Sequence, residues 1–182
     1  MKLFKNSFLF ILTSTLIISA CNQLETKWKT FTASNKYTVD YPSFLSPDNT
    51  LTTEASMSYS NQKKEFYCLV LDEHKDTLSL YGYEDMSLED YVLILKNNQD
   101  ALTELPTKTL LQKEIKVNGM KGEILEIETE ITQGDKKTIS KGKKAIIEGK
   151  NGFYQVYVWT LKEDFKKYEP DFDRIIGSFK EL

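Results

Sequence analysis

TLLQKEIKVNGMKGEILEIETEITQGDKKTISKGKKAIIEGKNGFYQVYVWTL, residues 109–161, reads as an antiparallel meander. Asn118-Gly119 marks a two-residue hairpin turn, since asparagine and glycine tolerate the positive φ such a turn needs. Gln133-Gly134-Asp135-Lys136 and Gly149-Lys150-Asn151-Gly152 supply two more turns. Charge tests the middle hairpin. Pairing Thr132 with Lys137 sets Glu128 opposite Lys141 and Glu126 opposite Lys143, so an acidic ladder (Glu126, Glu128, Glu130) meets a basic one (Lys137, Lys141, Lys143, Lys144). Taken functionally, the ladders are a metal site or an acidic docking patch. Taken structurally, they are one solvated sheet face whose cross-strand pairs contribute roughly a few tenths of a kcal/mol each. The register favours the structural reading. The last segment, 152–161, is apolar on both faces, which predicts a central strand covered on both sides.

Upstream, residues 28–33 and 36–41 flank Ser34-Asn35 and predict a tight hairpin, with Trp28 opposite Tyr41 and Lys29 opposite Asp40. Pro42 and Pro47 mark a loop. Residues 51–59 and 65–72 read as strands around a polar turn at 61–64. A helix is predicted from Ser87, where Ser87-Leu88-Glu89-Asp90 resembles a capping box. Leu88, Tyr91, Val92 and Leu95 give it one apolar stripe, and Pro106 lies beyond its end. A second helix is predicted near the C-terminus. Pro170 is placed in its first turn beside Asp171 and Asp173, Phe172, Ile175 and Ile176 form its packing stripe, and Gly177 ends it.

The N-terminus has a different logic. Lys2 and Lys5 precede an apolar run over 8–18, followed by Ile18-Ser19-Ala20-Cys21. That is the layout of a secretory signal. The run is too short for a spanning helix, which needs about 20 apolar residues. The cysteine directly after small residues resembles a bacterial lipobox. The resemblance implies a signal peptide over 1–20, lipid attachment at Cys21, and a short tether over 21–27 before a single domain over 28–182. Six tether residues reach at most about 20 Å, which would hold the domain close to a membrane. Asn22 rather than aspartate after the cysteine favours the periplasmic side of the outer membrane. Removal of residues 1–20 leaves 22 basic against 27 acidic residues, a net charge of −5, unsuited to nucleic acid or anionic head groups.

If Cys21 is acylated, Cys68 has no partner for a disulfide. Cys68 lies in an apolar run and is expected to be a buried small hydrophobe. The single histidine, His74, stands six residues along the same strand, about 20 Å away, so the strand itself does not join them as a nucleophile and base.

Three stretches resemble the PsbP-like (Mog/PsbP/DcrB) family: residues 37–44 (YTVDYPSF), 117–122 (VNGMKG) and 172–180 (FDRIIGSFK). The resemblance implies an α+β fold, an antiparallel sheet of about six strands with helices on both faces. It brings no shared catalytic centre. The residues themselves contain no Gly-x-Ser-x-Gly elbow, phosphate-binding glycine loop or His-Glu-x-x-His motif, and no catalytic, cofactor or metal residue is assigned. The expectation is a membrane-anchored, non-catalytic accessory lipoprotein that docks an envelope protein. The alternatives are a lipoprotein binding a small apolar ligand, with Tyr81-Gly82-Tyr83 lining its cleft, and a carboxylate-based hydrolase.

Overall fold

In the computed structural model, which describes residues 26–102, 106–133 and 136–182, the meander is the centre of the molecule. In chain order the elements are β1 (Trp28–Ala33), β2 (Tyr37–Pro42), β3 (Ser46–Pro47), β4 (Met57–Asn61) and β5 (Phe66–His74), then α1 (Lys75–Leu80) and α2 (Leu88–Leu102). They continue with β6 (Thr107–Val117), β7 (Met120–Gln133), β8 (Lys136–Glu148), β9 (Gly152–Leu161), α3 (Phe165–Ser178) and β10 (Lys180–Glu181). The main sheet is antiparallel, seven strands in the order β3-β4-β5-β9-β8-β7-β6. β9 is its middle strand, with Phe153, Val156 and Val158 fully buried. A second sheet, β1-β2-β10, takes the opening hairpin.

Two cores follow from strand alternation. On one face of the main sheet, Phe66, Cys68, Val70, Ala145, Ile147, Val156 and Val158 pack against α3 and the small sheet. On the other, Leu125, Ile127, Ile146 and Phe153 pack under Leu88, Tyr91 and Val92 of α2. Helices therefore cover both faces, as expected.

The meander registers match the charge argument. Val117 pairs with Met120 around Asn118 and Gly119, at φ 48° and 86°. Thr132 pairs with Lys137, Glu128 with Lys141 and Glu126 with Lys143. The face they line is not open to solvent, however. Helix α3 lies on it, so Lys143 is buried and reaches Asp173 at 2.6 Å and Glu169 at 3.2 Å, while Lys141 takes Glu126 at 2.7 Å.

The first hairpin is shifted by one residue from the expected register: Trp28 pairs with Pro42 and Lys29 with Tyr41. The connection has three residues, closed by the Lys36 N–H on the Ala33 carbonyl at 2.9 Å, with Asn35 at φ 55°. The observed register sets Phe31 beside Val39 and Ala33 beside Tyr37, whereas the expected one mixed apolar with polar partners. Burial of one face decides register.

Residues 51–56 are loop rather than strand. Asp48 organises this region: its carboxylate accepts from the Thr50 N–H and hydroxyl and from the Ser60 hydroxyl, and these bonds lower its pKa. Helix α3 starts five residues before Pro170, because the buried rings of Phe165 and Tyr168 anchor an earlier turn. It also runs past Gly177 to Ser178. Helix α1 was not foreseen. His74 caps it, Nδ1 accepting from the Asp76 N–H at 3.3 Å.

Candidate functional site

Cys21 lies outside the described residues. The first described residues fix where the chain enters the domain. The Lys27 carbonyl accepts from the Ser43 N–H at 2.7 Å, and the Phe44 carbonyl accepts from the Asn61 side chain at 2.8 Å. The chain thus enters beside the start of β5. No helix among the described residues is long and apolar enough to cross a membrane.

Cys68 is fully buried on the α3 side, and burial pushes its thiol up to about 12. His74 stands at the other end of β5 and serves as a cap. Among the described residues no group of three or more histidine, cysteine or acidic side chains is placed to hold a metal ion. The acidic and basic ladders resolve into pairs: Lys137 with Glu130, Lys141 with Glu126, and Lys143 with Asp173 and Glu169. Glu128 is taken by Lys162 at 2.9 Å. Asp171 is the carboxyl raised by burial, and it lines none of the clefts described here.

Three surface features remain. The first is a half-open cleft of about 420 Å³ between α3 and the edge strand β6. Leu111, Ile115, Val117, Ile124 and Ile176 line it together with Lys113, Lys116, Glu126 and the Lys143 ion pairs to Glu169 and Asp173. The second is a row of rings on the α2 side of the sheet, Tyr67, Trp159 and Tyr157, with centroids 5.2 and 4.6 Å apart and planes at 11° and 25°. These rings spend their faces on one another, and the outer face of Tyr157 meets the Lys144 ammonium at 5.5 Å. The rings are half-buried, and Tyr67 and Trp159 line an open cleft of about 470 Å³ with Gln62, Glu65, Thr138 and Ser140.

The third is an apolar lip at the α1–α2 corner. Leu80 is 85% exposed, Tyr81 76%, Leu93 56% and Tyr83 46%. Gly82, at φ 85°, turns the chain between the two tyrosines. Tyr83, Met86, Leu93 and Ile94 line a shallow groove of about 400 Å³ with Glu84, Asp85 and Asp90. Local structure fixes the lip's back. Ser87 caps α2, its hydroxyl accepting from the Asp90 N–H at 3.1 Å while the Asp90 carboxylate accepts from the Ser87 hydroxyl at 2.7 Å. One turn on, Tyr91 stacks on Phe153 at 4.4 Å and its hydroxyl accepts from Gln155 at 2.9 Å. Of the two tyrosines that the ligand-binding alternative places in a cleft, Tyr83 lines the groove and Tyr81 is exposed beside it. The signal for the lip was a stretch, 76–95, with five acidic residues and no basic one.

The lip and the point where the chain enters at Lys27 lie at opposite ends of the sheet. The entry point sits by Asn61 and Phe66, and the lip adjoins His74 and Phe153. The nine residues of β5 separate them by roughly 25 Å.

A seven-stranded antiparallel sheet with helices on both faces and a small N- and C-terminal sheet is the PsbP/Mog1 fold. The cyanobacterial PsbP protein CyanoP of Synechocystis sp. PCC 6803 has it, with a TM-score of 0.60 at 12% identity over 91% of this chain and 99% of that one. The Saccharomyces cerevisiae Ran-binding protein Mog1p matches with a TM-score of 0.55 at 10% identity, over 85% and 95% of the two chains. LpqN of Mycobacterium tuberculosis, involved in cell envelope biogenesis, matches at 0.51 and 8% identity, over 87% and 92%. No protein-family model and no curated protein matches the chain by sequence. At such identities the likeness is one of fold, and fold does not carry function.

Proposed function

We propose that this chain is a lipid-anchored envelope protein, held through Cys21, that acts without catalysis of its own by docking another envelope protein. One observation supports the reading: an apolar lip stands at the end of the sheet opposite the point where the chain enters at Lys27. Exposed leucines and tyrosines grouped at one corner are a usual mark of an interaction surface. A tether of at most about 20 Å and a sheet of about 25 Å would present that lip some tens of ångströms above the lipid. Crosslinking in intact membranes tests it. Co-purified envelope proteins that disappear when Tyr81 and Leu93 are replaced by serine are the expected result, and a clean chain with no crosslinked neighbour would count against docking. Fractionation of Cys21→Ser tests the anchor separately: the variant should leave the membrane fraction.

A second reading has its own observation. The cleft beneath α3 combines an aliphatic wall with lining lysines and carboxylates, and its volume suits a short acyl chain with a polar head. Organic extraction of the purified protein followed by mass spectrometry decides it, since a carrier would yield a stoichiometric lipid other than the one on Cys21.

A further inference from the structure

Deepening the docking reading, on which it rests, we infer that the lip receives a cationic protein segment bearing an apolar anchor side chain. The argument is one of charge complementarity. The surface around Leu80, Tyr81, Tyr83 and Leu93 carries exposed Asp76, Glu84, Asp85, Glu89 and Asp90, and no lysine, arginine or histidine occurs between residues 76 and 95. On the main sheet and α3, Asp72, Glu126, Glu128, Glu130, Glu148 and Glu169 each meet a lysine within 3.2 Å; carboxylates such as Glu163 also stand without such a partner among the described residues, but without exposed leucines and tyrosines grouped about them. Glu84, Asp85 and Glu89 have no ion-pair partner among the described residues. The cation next to the groove, Lys75, is committed to Glu148 at 3.1 Å and to the Phe153 ring at 5.1 Å.

Unpaired carboxylates around apolar side chains repel an anionic lipid surface and a nucleic acid alike, and they attract a segment rich in lysine or arginine. Leu93 and Tyr83 then accept the segment's apolar residue in the groove, where Met86 adds an adaptable wall. A second copy of this chain is the competing occupant: Lys137, Lys141 and Lys143 are taken by its own carboxylates, whereas exposed Lys108, Lys113 and Lys116 of edge strand β6 lie beside exposed Leu110 and Leu111, and the oligomeric state decides between them.

The test uses the full chain purified in detergent and two synthetic helical peptides. One is built of leucine and lysine at helical spacing, and its twin carries glutamate for lysine. Fluorescence anisotropy should show the lysine peptide binding, weakening as salt is raised. Glu84→Lys with Asp85→Lys, and separately Tyr81→Ser with Leu93→Ser, should each weaken it by about tenfold or more. Glu163→Lys, at the other end of β9, should leave it unchanged. These positions are exposed, so unchanged circular dichroism is expected for every variant. Equal weakening by Glu163→Lys, binding indifferent to the lip variants, or equal binding of the glutamate peptide would overturn the inference. So would a concentration-dependent dimer abolished by the lip variants, which would make a second copy the occupant. Retention of crosslinked partners by the lip variants in intact membranes would leave the docking role standing and remove this face from it.

Discussion

Desolvation of the ionised thiol raises Cys68 from 9.0 to about 12, and burial acts in the same direction on Tyr67 and Tyr157, each pushed up to about 12. In the unfolded chain these groups lose their protons near 9 to 10. Between about pH 9 and 12 the folded state therefore holds more protons than the unfolded one, and stability falls as pH rises through that window. Below pH 9 their contribution is constant. The urea midpoint should be flat from pH 7.5 to 8.5 and decline steadily by pH 11, while a bulky thiol reagent leaves native Cys68 unlabelled at pH 8. Lys144 works in the opposite sense. Burial lowers its pKa, and the Tyr157 ring is the partner of its ammonium in place of a carboxylate. A half-buried cation with a ring but no carboxylate beside it is only partly compensated, so Lys144→Met should raise stability by about 1 kcal/mol in urea titrations at pH 7. Lys144 had been grouped by sequence with the ladder lysines. Strand parity turns it to the other face, beneath α2, beside Leu125 and Tyr157.

At the scale of elements, glycine and caps give the sharpest expectations. Gly142 lies against β9 so closely that a Cβ would meet the Val158 carbonyl at 2.3 Å and the Trp159 Cβ at 2.6 Å. Gly142→Ala should cost about 1–3 kcal/mol of unfolding free energy by forcing β8 and β9 apart. Ser87→Ala removes the N-cap of α2 and should cost about 1 kcal/mol, read as a lowered thermal midpoint. The strands of 109–161 were legible because three independent signals coincide there: alternation, turn residues and opposed charges. Where signals compete, the sequence misleads. Pro170 suits a helix start, yet the hidden rings of Phe165 and Tyr168 carry α3 further back, and the proline is borne inside the helix. Helix α1 has six residues and no buried side chain, so no apolar stripe announces it. Strand β10 has two residues and exists through pairing with β2, some 140 positions earlier in the chain.

Across the whole molecule, the lip was the least legible part. Leu93 stands off the α2 stripe of Leu88, Tyr91, Val92 and Leu95, and Leu80 ends α1, which no stripe announces, so only the packing of the two helices brings Leu80, Tyr81 and Leu93 together on the outside. Proximity is the second whole-molecule expectation. A flexible insert of about 30 Gly/Ser residues after Asn22 would lengthen the tether several-fold and dilute the lip relative to a partner fixed in the same membrane. Function in cells should fall while the thermal midpoint of the domain stays the same; undiminished function would remove the need for a short tether. The opening hairpin has a mechanical corollary. The chain enters at Trp28, runs along β1 away from the tether, and returns along β2, which is clamped by β10 and by the bond from the Asp40 N–H to Ser178. Tension between an anchored N-terminus and a partner gripping the far end would pull β1 lengthwise against β2. Its ladder bonds stand across the strands, so the load would fall on six residue pairs at once, in shear, rather than on one pair at a time. Were the chain anchored as proposed, this geometry would resist a steady pull better than one that unzips from an end.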